Sequence, residues 1–565
     1  MSQSAHKNPI SKFKIPGLVA IIVLAGFAAF VFNRRSSATR DFPGLAPVLD
    51  QFAAPGIELA RPATCIECHR EATEKWMQSH HSKANAPFTE ADRERLLTQR
   101  TELLDQRKMN WVEKRETMVL QEPGVPDSPV VGTIGITPLI QYLLLAPDGR
   151  IQTHDVAWDV EKKEWFSVFE DEQEETPRFA GEWGHWSGQG MNWDANCAYC
   201  HMTAYEKKYD TLTNTYGRTW DHMTITCTEC HPSMHTHMDQ VQNGNNYWKE
   251  ELTPKQVMET CAICHSRRDQ LTADRFVAGD LYEDHFYLTT LDTPGIYHPD
   301  GQVIGENYVY GSLTMSRMGT AGVTCMDCHD PHTADFILPI DHNALCQRCH
   351  GSGLKDAPKI DPLQHSHHPA DSTGNLCIEC HMPSTEFMGR DPRRDHSFSH
   401  PDPRLTIEMG IPNACSKCHN TQSDKWSMDY AEKWYGPDMN AERRQKAYLM
   451  RDLFAMEETA PQRLKEAVLV EKNRMWKATF VSMFQYVPFD EEAFNILVAM
   501  LDDPEPMVRS ASIRILGVNN IAPEKALSLL EDPVRGVRLS AALTVPGMTG
   551  LSESVDKELL EYMNH

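Results

Sequence analysis

The stretch TCTECHPSMHTH, residues 226 to 237, places two cysteines and three histidines within twelve positions. Such a density of soft ligands is typical of a zinc site, a disulfide-linked hairpin or a haem attachment site. These three interpretations predict different proteins. The other cysteines of the chain decide between them.

All sixteen cysteines of the 565-residue chain fall into eight CxxC pairs, and a histidine directly follows each pair. CxxCH is the attachment signature of c-type haem, whose iron takes the histidine as its proximal ligand. The expected covalent attachment residues are Cys65, Cys68, Cys197, Cys200, Cys227, Cys230, Cys261, Cys264, Cys325, Cys328, Cys346, Cys349, Cys377, Cys380, Cys415 and Cys418. The expected proximal ligands are His69, His201, His231, His265, His329, His350, His381 and His419.

The alternatives explain less of this pattern. Tetrahedral zinc binding does not require a histidine after every CxxC pair. A thioredoxin-like redox site needs a single CxxC near a βαβ pattern, and disulfide frameworks mark short secreted chains. The motifs therefore predict eight covalently attached haem c groups, which makes the chain an octahaem cytochrome.

Composition limits the class of protein further. Hydrophobic residues make up 41% of the chain, which is too few for a protein that crosses a membrane many times. The 79 acidic and 55 basic residues give a formal net charge of -24. This charge argues against nucleic-acid binding and favours a basic partner through electrostatic steering.

The N-terminus suggests a membrane anchor. Residues 15 to 32, IPGLVAIIVLAGFAAFVF, carry no charge over eighteen positions, which is just enough to span a bilayer core. Three lysines within residues 7–14 and three arginines within residues 34–40 flank the segment, so charge alone gives no orientation. Because c-type haem is attached outside the bacterial inner membrane, we expect a single-pass inner-membrane protein with a cytoplasmic tail, residues 1–14, and with haem and repeat domains in the periplasm. A signal peptide cleaved near Ser36-Ser37-Ala38 is the alternative.

The middle of the chain carries the haem motifs. Residues 33–62 are interrupted by proline and glycine and are predicted to form a linker, and residues 63–435 form the octahaem cytochrome c domain. Residues 96–117 are charged and favour a helix. Residues 140–160 carry β-type side chains on both sides of Pro147-Asp148-Gly149, which predicts a hairpin.

The C-terminal part, residues 440–565, has no cysteine and shows helical periodicity throughout. Asp503-Pro504 followed by Val508-Arg509 recurs 29 residues later as Asp532-Pro533 followed by Val537-Arg538. This resembles HEAT-like repeats, which stack helix pairs and leave a concave face for a protein partner. The alternative is a plain helical cap on the haem domain. The expected fold is mainly α: one N-terminal transmembrane helix, a multihaem domain with little β, and a C-terminal HEAT-like α-solenoid.

Longer stretches of residues 63–435 resemble a bacterial family of multihaem cytochromes that is often fused to TPR or HEAT-like domains. The matching stretches are WMQSHHSKA, NWDANCAYCH, CAICHSRR, YHPDGQ, YVYGS, AGVTCMDCHDPH, NALCQRCH, DPRRDHSF and PNACSKCH. The family is distantly similar to the superfamily of hydroxylamine oxidoreductase, its tetrahaem electron acceptor and the multihaem nitrite reductases. The resemblance implies architecture more than substrate.

The resemblance also implies which histidines bind the irons from the opposite, distal side. These are His81, His237, His285, His298, His332, His365, His368 and His396. Weaker candidates are His80, His154, His185, His222, His235, His342, His367 and His400. In the opening stretch, His231 is then a proximal ligand, His237 serves a neighbouring haem and His235 has no assigned role.

Ligation determines the expected function. Haem iron bound by two histidines has no open position, so it transfers electrons. The first hypothesis is an electron carrier between a quinol-linked donor and a terminal reductase or another cytochrome, with no catalytic residue. The alternative is an oxidoreductase acting on a nitrogen or sulfur compound at one five-coordinate haem. The resemblance places that haem at the fourth motif, where the site would be lined by Arg267, Arg268, Tyr282, His285 and His298. The missing CxxCK motif and the uniform cysteine spacing weaken this alternative.

Overall fold

The computed structural model of the chain describes residues 42, 44–54, 61–115, 117–169, 178–231, 237–238, 240–241, 243, 252–306, 308–519, 521, 524–544 and 551–564. Within these ranges, an antiparallel sheet is followed by a region of short helices that carries the haem motifs. A set of longer helices completes the chain. The fold is thus mostly helical, with one substantial sheet.

The described residues contain no helix that is long and apolar enough to cross a membrane. The longest of them, Ala441–Phe454, has 14 residues. At 1.5 Å per residue that is about 21 Å, against about 30 Å for a bilayer core. This finding contradicts the predicted single-pass inner-membrane localisation, which we withdraw. The predicted tail, residues 1–14, and the predicted span, residues 15–32, lie outside the described residues.

Residues 85–167 form a seven-stranded antiparallel sheet, although the sequence predicted little β structure. Its strands are β1 (Asn85–Pro87), β2 (Asn110–Lys114), β3 (Thr117–Gln121), β4 (Ser128–Ile134), β5 (Leu139–Leu145), β6 (Ile151–Asp159) and β7 (Glu164–Ser167). The strand order is β2-β3-β4-β5-β6-β7, and β1 pairs with β4. Strands β5 and β6 form the predicted hairpin, in which Gly149 takes a φ of 86°. The helix predicted over residues 96–117 is instead two short helices, Glu90–Thr98 and Glu102–Gln106, followed by β2.

Both faces of the sheet are buried along β4, β5 and β6, which explains the nearly continuous apolar residues of β5. Strand β6 also buries polar side chains, among them His154 and Asp155. Leu143 and Leu145 pack with the helix Leu45–Ala53, which lies in the predicted linker, and with Trp193 next to the second haem motif. The alternate residues Tyr142 and Leu144 pack on the other face among tryptophans. One face of the sheet therefore supports the second motif directly.

Short helices carry the haem motifs. They are Pro62–Cys65, Ala198–His201, Cys227–Cys230, Pro254–His265, Ala344–His350, Cys377–His381 and Cys415–Cys418, with the 3₁₀ turn Cys325–Asp327 at the fifth motif. Between them lie the helices Arg70–Gln78, Trp193–Asn196, Tyr310–Met315, Arg317–Thr320, Pro362–Ser366 and Pro403–Met409, and the helix Asp424–Tyr435 follows the last motif. Short two-stranded ribbons pair Tyr209–Asp210 with Thr215–Tyr216, Arg268–Gln270 with Phe286–Leu288, and Ser384–Phe387 with Asp391–Arg394.

The C-terminal helices are Ala441–Phe454, Ala460–Val470, Arg474–Ser482, Glu491–Met500, Pro506–Val518, Glu524–Ser528, Arg535–Thr544 and Glu553–Asn564. They share a large apolar core in which Met475, Leu497, Val508 and Val537 are fully buried. The core also includes Leu291 and other apolar side chains of the haem region. The C-terminal helices and the haem region therefore fold against each other.

A row of ion pairs follows the sequence repeat through these helices. Lys446 contacts Glu471 at 2.7 Å and Lys477 contacts Asp503 at 2.6 Å. The pattern then continues along the chain with Arg509 to Asp532 at 2.9 Å and Arg538 to Glu558 at 3.0 Å. Each basic residue thus binds an acidic residue that lies 20 to 26 positions further along the chain. We call these four contacts the charge ladder.

Hydrogen bonds fix the C-terminal helices to the segment that follows the fourth motif. The Arg535 amide donates to the Asp284 carboxylate at 2.6 Å, and the Tyr287 hydroxyl donates to the Gly536 carbonyl. A Cβ at position 536 would lie 2.6 Å from the Glu283 carbonyl, so only glycine fits there. This face of the helices is covered by the chain's own haem region.

Candidate haem-binding sites

Each haem motif is a single tight turn. The histidine amide donates to the carbonyl of the first cysteine in the first, third, fifth and eighth motifs, at 2.8, 2.9, 2.9 and 2.9 Å. Residues i, i+3 and i+4 of such a turn lie on one face. Both thiols and the imidazole therefore point in the same direction, as attachment of one porphyrin requires.

The motifs surround one continuous cavity of about 2480 Å³. This is more than twice the upper end of about 300–1,000 Å³ for a small-molecule pocket. The cavity is lined by both cysteines and the histidine of six motifs, the second and the fourth to the eighth. Cys230 of the third motif also lines it. The first motif lies outside this lining. A space of this size bordered by so many attachment residues fits several porphyrins side by side.

Four proximal histidines face a predicted distal histidine at nearly the same separation. The ring centroids are 6.0 Å apart for His69 and His237 and 6.2 Å apart for His265 and His81. They are 6.0 Å apart for His381 and His365 and 6.1 Å apart for His419 and His368. Two imidazole–metal bonds of about 2 Å each, plus the half-widths of both rings, span such a distance. These pairs fit a haem iron between them.

The other four predicted distal ligands are placed differently. His396 lies close to the proximal histidine His329, whose charge adds to the effect of burial in lowering the pKa of His396. The His285 Nε2 atom is 3.2 Å from the Asp280 carboxylate, and the His332 Nδ1 atom is 3.5 Å from that of Asp330. His298 lies near the carboxylates of Asp300 and Asp395. The described residues do not show His285, His298 or His332 opposite a proximal histidine.

The weaker histidine candidates have other surroundings. His154 and His185 are buried behind the sheet, where both contact the Trp186 ring. His367 stacks on Trp434 at 4.6 Å, and His400 lies edge-on to His381 at 5.5 Å. His80 also lines the cavity, His222 contacts Thr224 and His342 lies beside Asp341. The position of His235 is outside the described residues.

Backbone carbonyls orient many of the candidate ligands. The Nδ1 atoms of His329, His350 and His381 lie 3.1, 3.0 and 3.1 Å from a carbonyl oxygen. His368 and His396 make the same contact at 2.6 and 2.9 Å. A metal-binding histidine commonly donates its second N–H to such an acceptor, which leaves Nε2 free for the metal. The local hydrogen bonding therefore matches the tautomer that haem iron requires.

Burial keeps these imidazoles neutral. Desolvation lowers the pKa of His265 and of His381 to about 4. It also lowers the pKa of His81, His201 and His396. Because only the neutral imidazole ligates a metal, these histidines are in the binding form at neutral pH.

Thiols of different motifs contact each other. A hydrogen bond from Cys227 lowers the pKa of the Cys65 thiol to about 7. Cys264 has the same effect on the pKa of Cys200, and Cys346 on that of Cys377. Cys261 in turn lowers the pKa of Cys325. The first motif thus adjoins the third, the second adjoins the fourth, the fourth adjoins the fifth, and the sixth adjoins the seventh.

Weaker electrostatic contacts complete the order. Electrostatic interaction with Cys230 contributes to raising the pKa of the Cys261 thiol, and interaction with Cys349 contributes to raising that of Cys328. Cys415 and Cys418 contribute to raising the pKa of Cys380 in the same way. These contacts join the third motif to the fourth, the fifth to the sixth and the seventh to the eighth. The spatial order is therefore 1-3-4-5-6-7-8, and the second motif branches from the fourth.

Two family models match parts of the chain. Residues 64–117, with the first motif, match "Cytochrome c554 and c-prime", and residues 319–355, with the fifth and sixth motifs, match "Doubled CXXCH motif". No curated protein matches the chain. The solved structure of the outer cell wall cytochrome OcwA aligns with 82% of this chain and 99% of that chain at 17% identity. Its TM-score of 0.48 is too low to carry an argument. The motifs and the two family matches make the chain a multihaem c-type cytochrome that binds haem c.

The geometry does not favour the fourth motif as an open site, because His81 faces His265. The polar residues expected there have structural partners. Arg268 donates to the Ile263 carbonyl at 2.7 Å, Tyr282 contacts the Ser266 hydroxyl at 2.7 Å, and Arg267 donates to the Glu306 carbonyl at 3.0 Å. No role was assigned from the sequence to Glu306, Tyr308 and Arg393, which lie near the second motif. Tyr308 and Arg393 belong to the stretches YVYGS and DPRRDHSF, but no local pattern in the sequence connects them with a haem.

Proposed function

We propose that the chain is an octahaem electron-transfer cytochrome in which electrons move from haem to haem along the order of the motifs. The observation that carries this proposal is the unbroken set of contacts that joins all eight motifs. Haems attached to thiols in contact lie close together, and close spacing is what electron transfer between them needs.

The facing histidine pairs support the same function. Iron held between two histidines has no position for a substrate and acts as a one-electron carrier. His69, His265, His381 and His419 have such a partner, at 6.0 to 6.2 Å. These four motifs are the two ends of the motif order, its branch point and the seventh motif, so six-coordinate sites are supported at these positions of the proposed route.

Two variants, each with both cysteines of one motif replaced by serine, test the proposed route. Cys325→Ser with Cys328→Ser removes the fifth haem, which links two groups of motifs, whereas Cys197→Ser with Cys200→Ser removes the second, which is only a branch. A photoactivated ruthenium reductant is coupled to Glu71→Cys, whose native side chain is 85% exposed beside the first motif. Transient absorption then counts the haems that repeated flashes reduce.

We expect the first variant to reduce four of its seven haems, because electrons cannot pass the missing fifth haem. The second variant should reduce all seven of its haems. Intact mass and a pyridine haemochrome assay confirm that each variant keeps seven haems and the parent eight. Equal reduction in both variants would show that the inferred order is wrong. Four haems or fewer in the parent would end the octahaem proposal.

We further propose that the C-terminal helices form HEAT-like repeats. The charge ladder supports this, because its basic residues recur every 29 to 32 residues, close to the 29-residue offset of the sequence repeat. The face that bears Arg535 and Gly536 contacts the haem region. The repeats would therefore support the haems from this side and offer their other surfaces to a partner.

The partners we propose are redox proteins, a quinol-linked donor and a terminal reductase or another cytochrome. The net charge of -24 supports docking with basic surfaces. We also propose a distant relation to the hydroxylamine oxidoreductase and multihaem nitrite reductase superfamily, which rests on the resemblance of the stretches from WMQSHHSKA to PNACSKCH.

A further inference from the structure

Two of the predicted distal ligands lie in one short segment, residues 361–375. His365 faces the proximal histidine of the seventh motif at 6.0 Å, and His368 faces that of the eighth motif at 6.1 Å. Between them, His367 takes a φ of 57°, in the left-handed region, which ends the preceding helix. This segment therefore presents one imidazole to each of two neighbouring motifs.

The imidazole of His368 is held on several sides. Its Nδ1 atom lies 2.6 Å from the Ser366 carbonyl oxygen, so Nε2 is the nitrogen left for iron. The His368 amide donates to the Ser366 hydroxyl at 3.2 Å, and that hydroxyl donates to the Asn375 side chain at 2.9 Å. The ring also lies edge-on to Trp434 at 6.1 Å. These contacts fix the position of the ring and leave it little room to move.

Gly374 lies directly against the same imidazole. A Cβ at this position would overlap the Cδ2 atom of His368 and would lie 2.7 Å from Cγ and 2.9 Å from Nε2. Carbon atoms in ordinary contact are about 3.5–4.0 Å apart, so no side chain fits between this backbone and the ring. The φ of Gly374 is outside the left-handed region, so the backbone conformation by itself would accept alanine. The missing side chain at position 374 therefore makes room for the imidazole.

The turn that carries Gly374 is fixed as firmly as the ring. The Asn375 amide donates to the Ser372 carbonyl at 3.0 Å, and the Asn375 carbonyl accepts from the Asn343 side chain at 2.8 Å. The same Asn343 side chain accepts a hydrogen bond from the Cys377 amide at 2.9 Å, which ties the turn to the seventh motif. Because both the turn and the ring are held, neither can readily withdraw from a Cβ at position 374.

We infer that Gly374 is the positioning residue that lets His368 reach the iron of the eighth haem, and that it thereby closes this haem to external ligands. The inference rests on the proposed function, in which His368 is the distal ligand of that haem. The eighth motif is one end of the motif order, and its Cys418 is exposed, so this haem is open to small molecules from outside. With its sixth position occupied, the iron exchanges electrons without binding them. Alanine at position 374 would turn this haem into a ligand-binding one.

Spin-state measurements on the whole haem-loaded protein test the inference. His368→Ala and Gly374→Ala should each add one high-spin haem to the number in the parent, as counted by electron paramagnetic resonance. After reduction with dithionite, each should bind about one more carbon monoxide per protein. The double variant should add no second high-spin haem, because both changes act on the same iron. Thr373→Ala is the control, since it alters an exposed position of the same turn, and it should match the parent.

The outcomes separate this inference from the electron-transfer proposal. If His368→Ala opens a haem and Gly374→Ala does not, Gly374 does not position the ligand, while the eighth haem remains six-coordinate as proposed. If His368→Ala adds no high-spin haem, both the inference and the proposed ligation of the eighth haem are wrong. A Thr373→Ala variant that behaves like Gly374→Ala would also overturn the inference, because the effect would then belong to the turn and not to the Cβ.

Free imidazole provides a second test of the same contact. It should fill the space left in His368→Ala and restore the low-spin signal. In the double variant the Cβ at position 374 occupies part of that space, so imidazole should bind about tenfold or more weakly. Equal affinities would overturn the inference.

Haem content is measured on the same samples by pyridine haemochrome assay. If Gly374→Ala alone fails to retain its haems, the double variant should restore them, because it removes the ring that the Cβ overlaps. Haem content that stays low in the double variant would show that Gly374 serves the fold and not the ligand.

Discussion

Residues 317–440 and residues 441–544 are both helical, but different groups hold them together. In the first region, the buried apolar side chains are Ile378, Leu405, Ile411 and Ala414, four in 124 residues. In the second, the described residues include thirty buried apolar side chains, most of them in one core. The first region instead borders the large cavity with four haem motifs.

The difference shows what each region needs in order to fold. Apolar burial is the dominant favourable term in folding, and four small contacts cannot offset the conformational entropy of over a hundred residues. In residues 317–440 the porphyrins would have to supply most of the buried apolar surface. Residues 441–544 bury many apolar side chains of their own, so we expect them to stay folded without a cofactor.

The largest expected effect is therefore that residues 317–440 alone lose their structure when no haem is attached. The full chain produced without haem attachment should lack fixed structure over residues 317–440, because their core is missing, while residues 441–544 stay folded. Hydrogen exchange read by mass spectrometry measures both regions in one experiment. Slow exchange over residues 317–440 without haem would break the comparison, as would fast exchange over both regions.

A smaller change affects one haem at a time. His368→Ala should convert one haem from low spin to high spin, because His368 faces His419 at 6.1 Å. The adjacent His367 stacks on Trp434 at 4.6 Å, so His367→Ala should leave all spin states unchanged. Electron paramagnetic resonance counts the high-spin haems in both proteins. If the two variants behave alike, His368 is not the distal ligand of the eighth haem.

The smallest effect should lie in the charge ladder. Arg509→Ala removes a nearly buried partner of Asp532 and should lower the free energy of unfolding of the repeats by about 3 kcal/mol. Lys525→Ala breaks an ion pair with Asp502, whose side chain is 70% exposed, and should cost less than about 1 kcal/mol. Urea unfolding followed by circular dichroism compares the two. Equal losses would show that the ladder adds no more than ordinary surface pairs.

The haem attachment residues could be predicted from the sequence because covalent chemistry requires a local pattern. Every cysteine and proximal histidine belongs to a five-residue motif. The predicted distal ligands are distant in the chain from the proximal histidines they face, as His81 is from His265, so no local pattern could pair them. The resemblance predicted His81, His237, His365 and His368 as distal ligands, and the structure shows which proximal histidine each of them faces.

The sequence predicted less β structure than the seven-stranded sheet contains, for a related reason. The strands β4 and β6 are buried on both faces, so they lack the polar–apolar alternation that marks a half-exposed strand. Only the hairpin turn at Pro147-Asp148-Gly149 gave a local signal. The C-terminal repeat was visible because Asp503 and Arg509 recur as Asp532 and Arg538, and the structure shows why: Arg509 binds Asp532 across the repeat. No sequence pattern indicates that Glu306 and Tyr308 lie at the second motif, although Tyr308 opens the stretch YVYGS, since only the folded chain brings them there.

The branch in the motif order has a kinetic consequence. The second motif contacts the fourth through Cys200 and Cys264, whereas the fourth also adjoins the third and the fifth. If each motif carries a haem, the fourth haem would exchange electrons with three neighbours, whereas the second haem would exchange them with the fourth alone. A reaction at the second haem that needs several electrons would receive them one at a time. Each of these transfers would compete with transfer from the fourth haem to the fifth. The relative reduction potentials of the second and fifth haems would then set how often an electron on the fourth haem moves to the second haem instead of to the fifth.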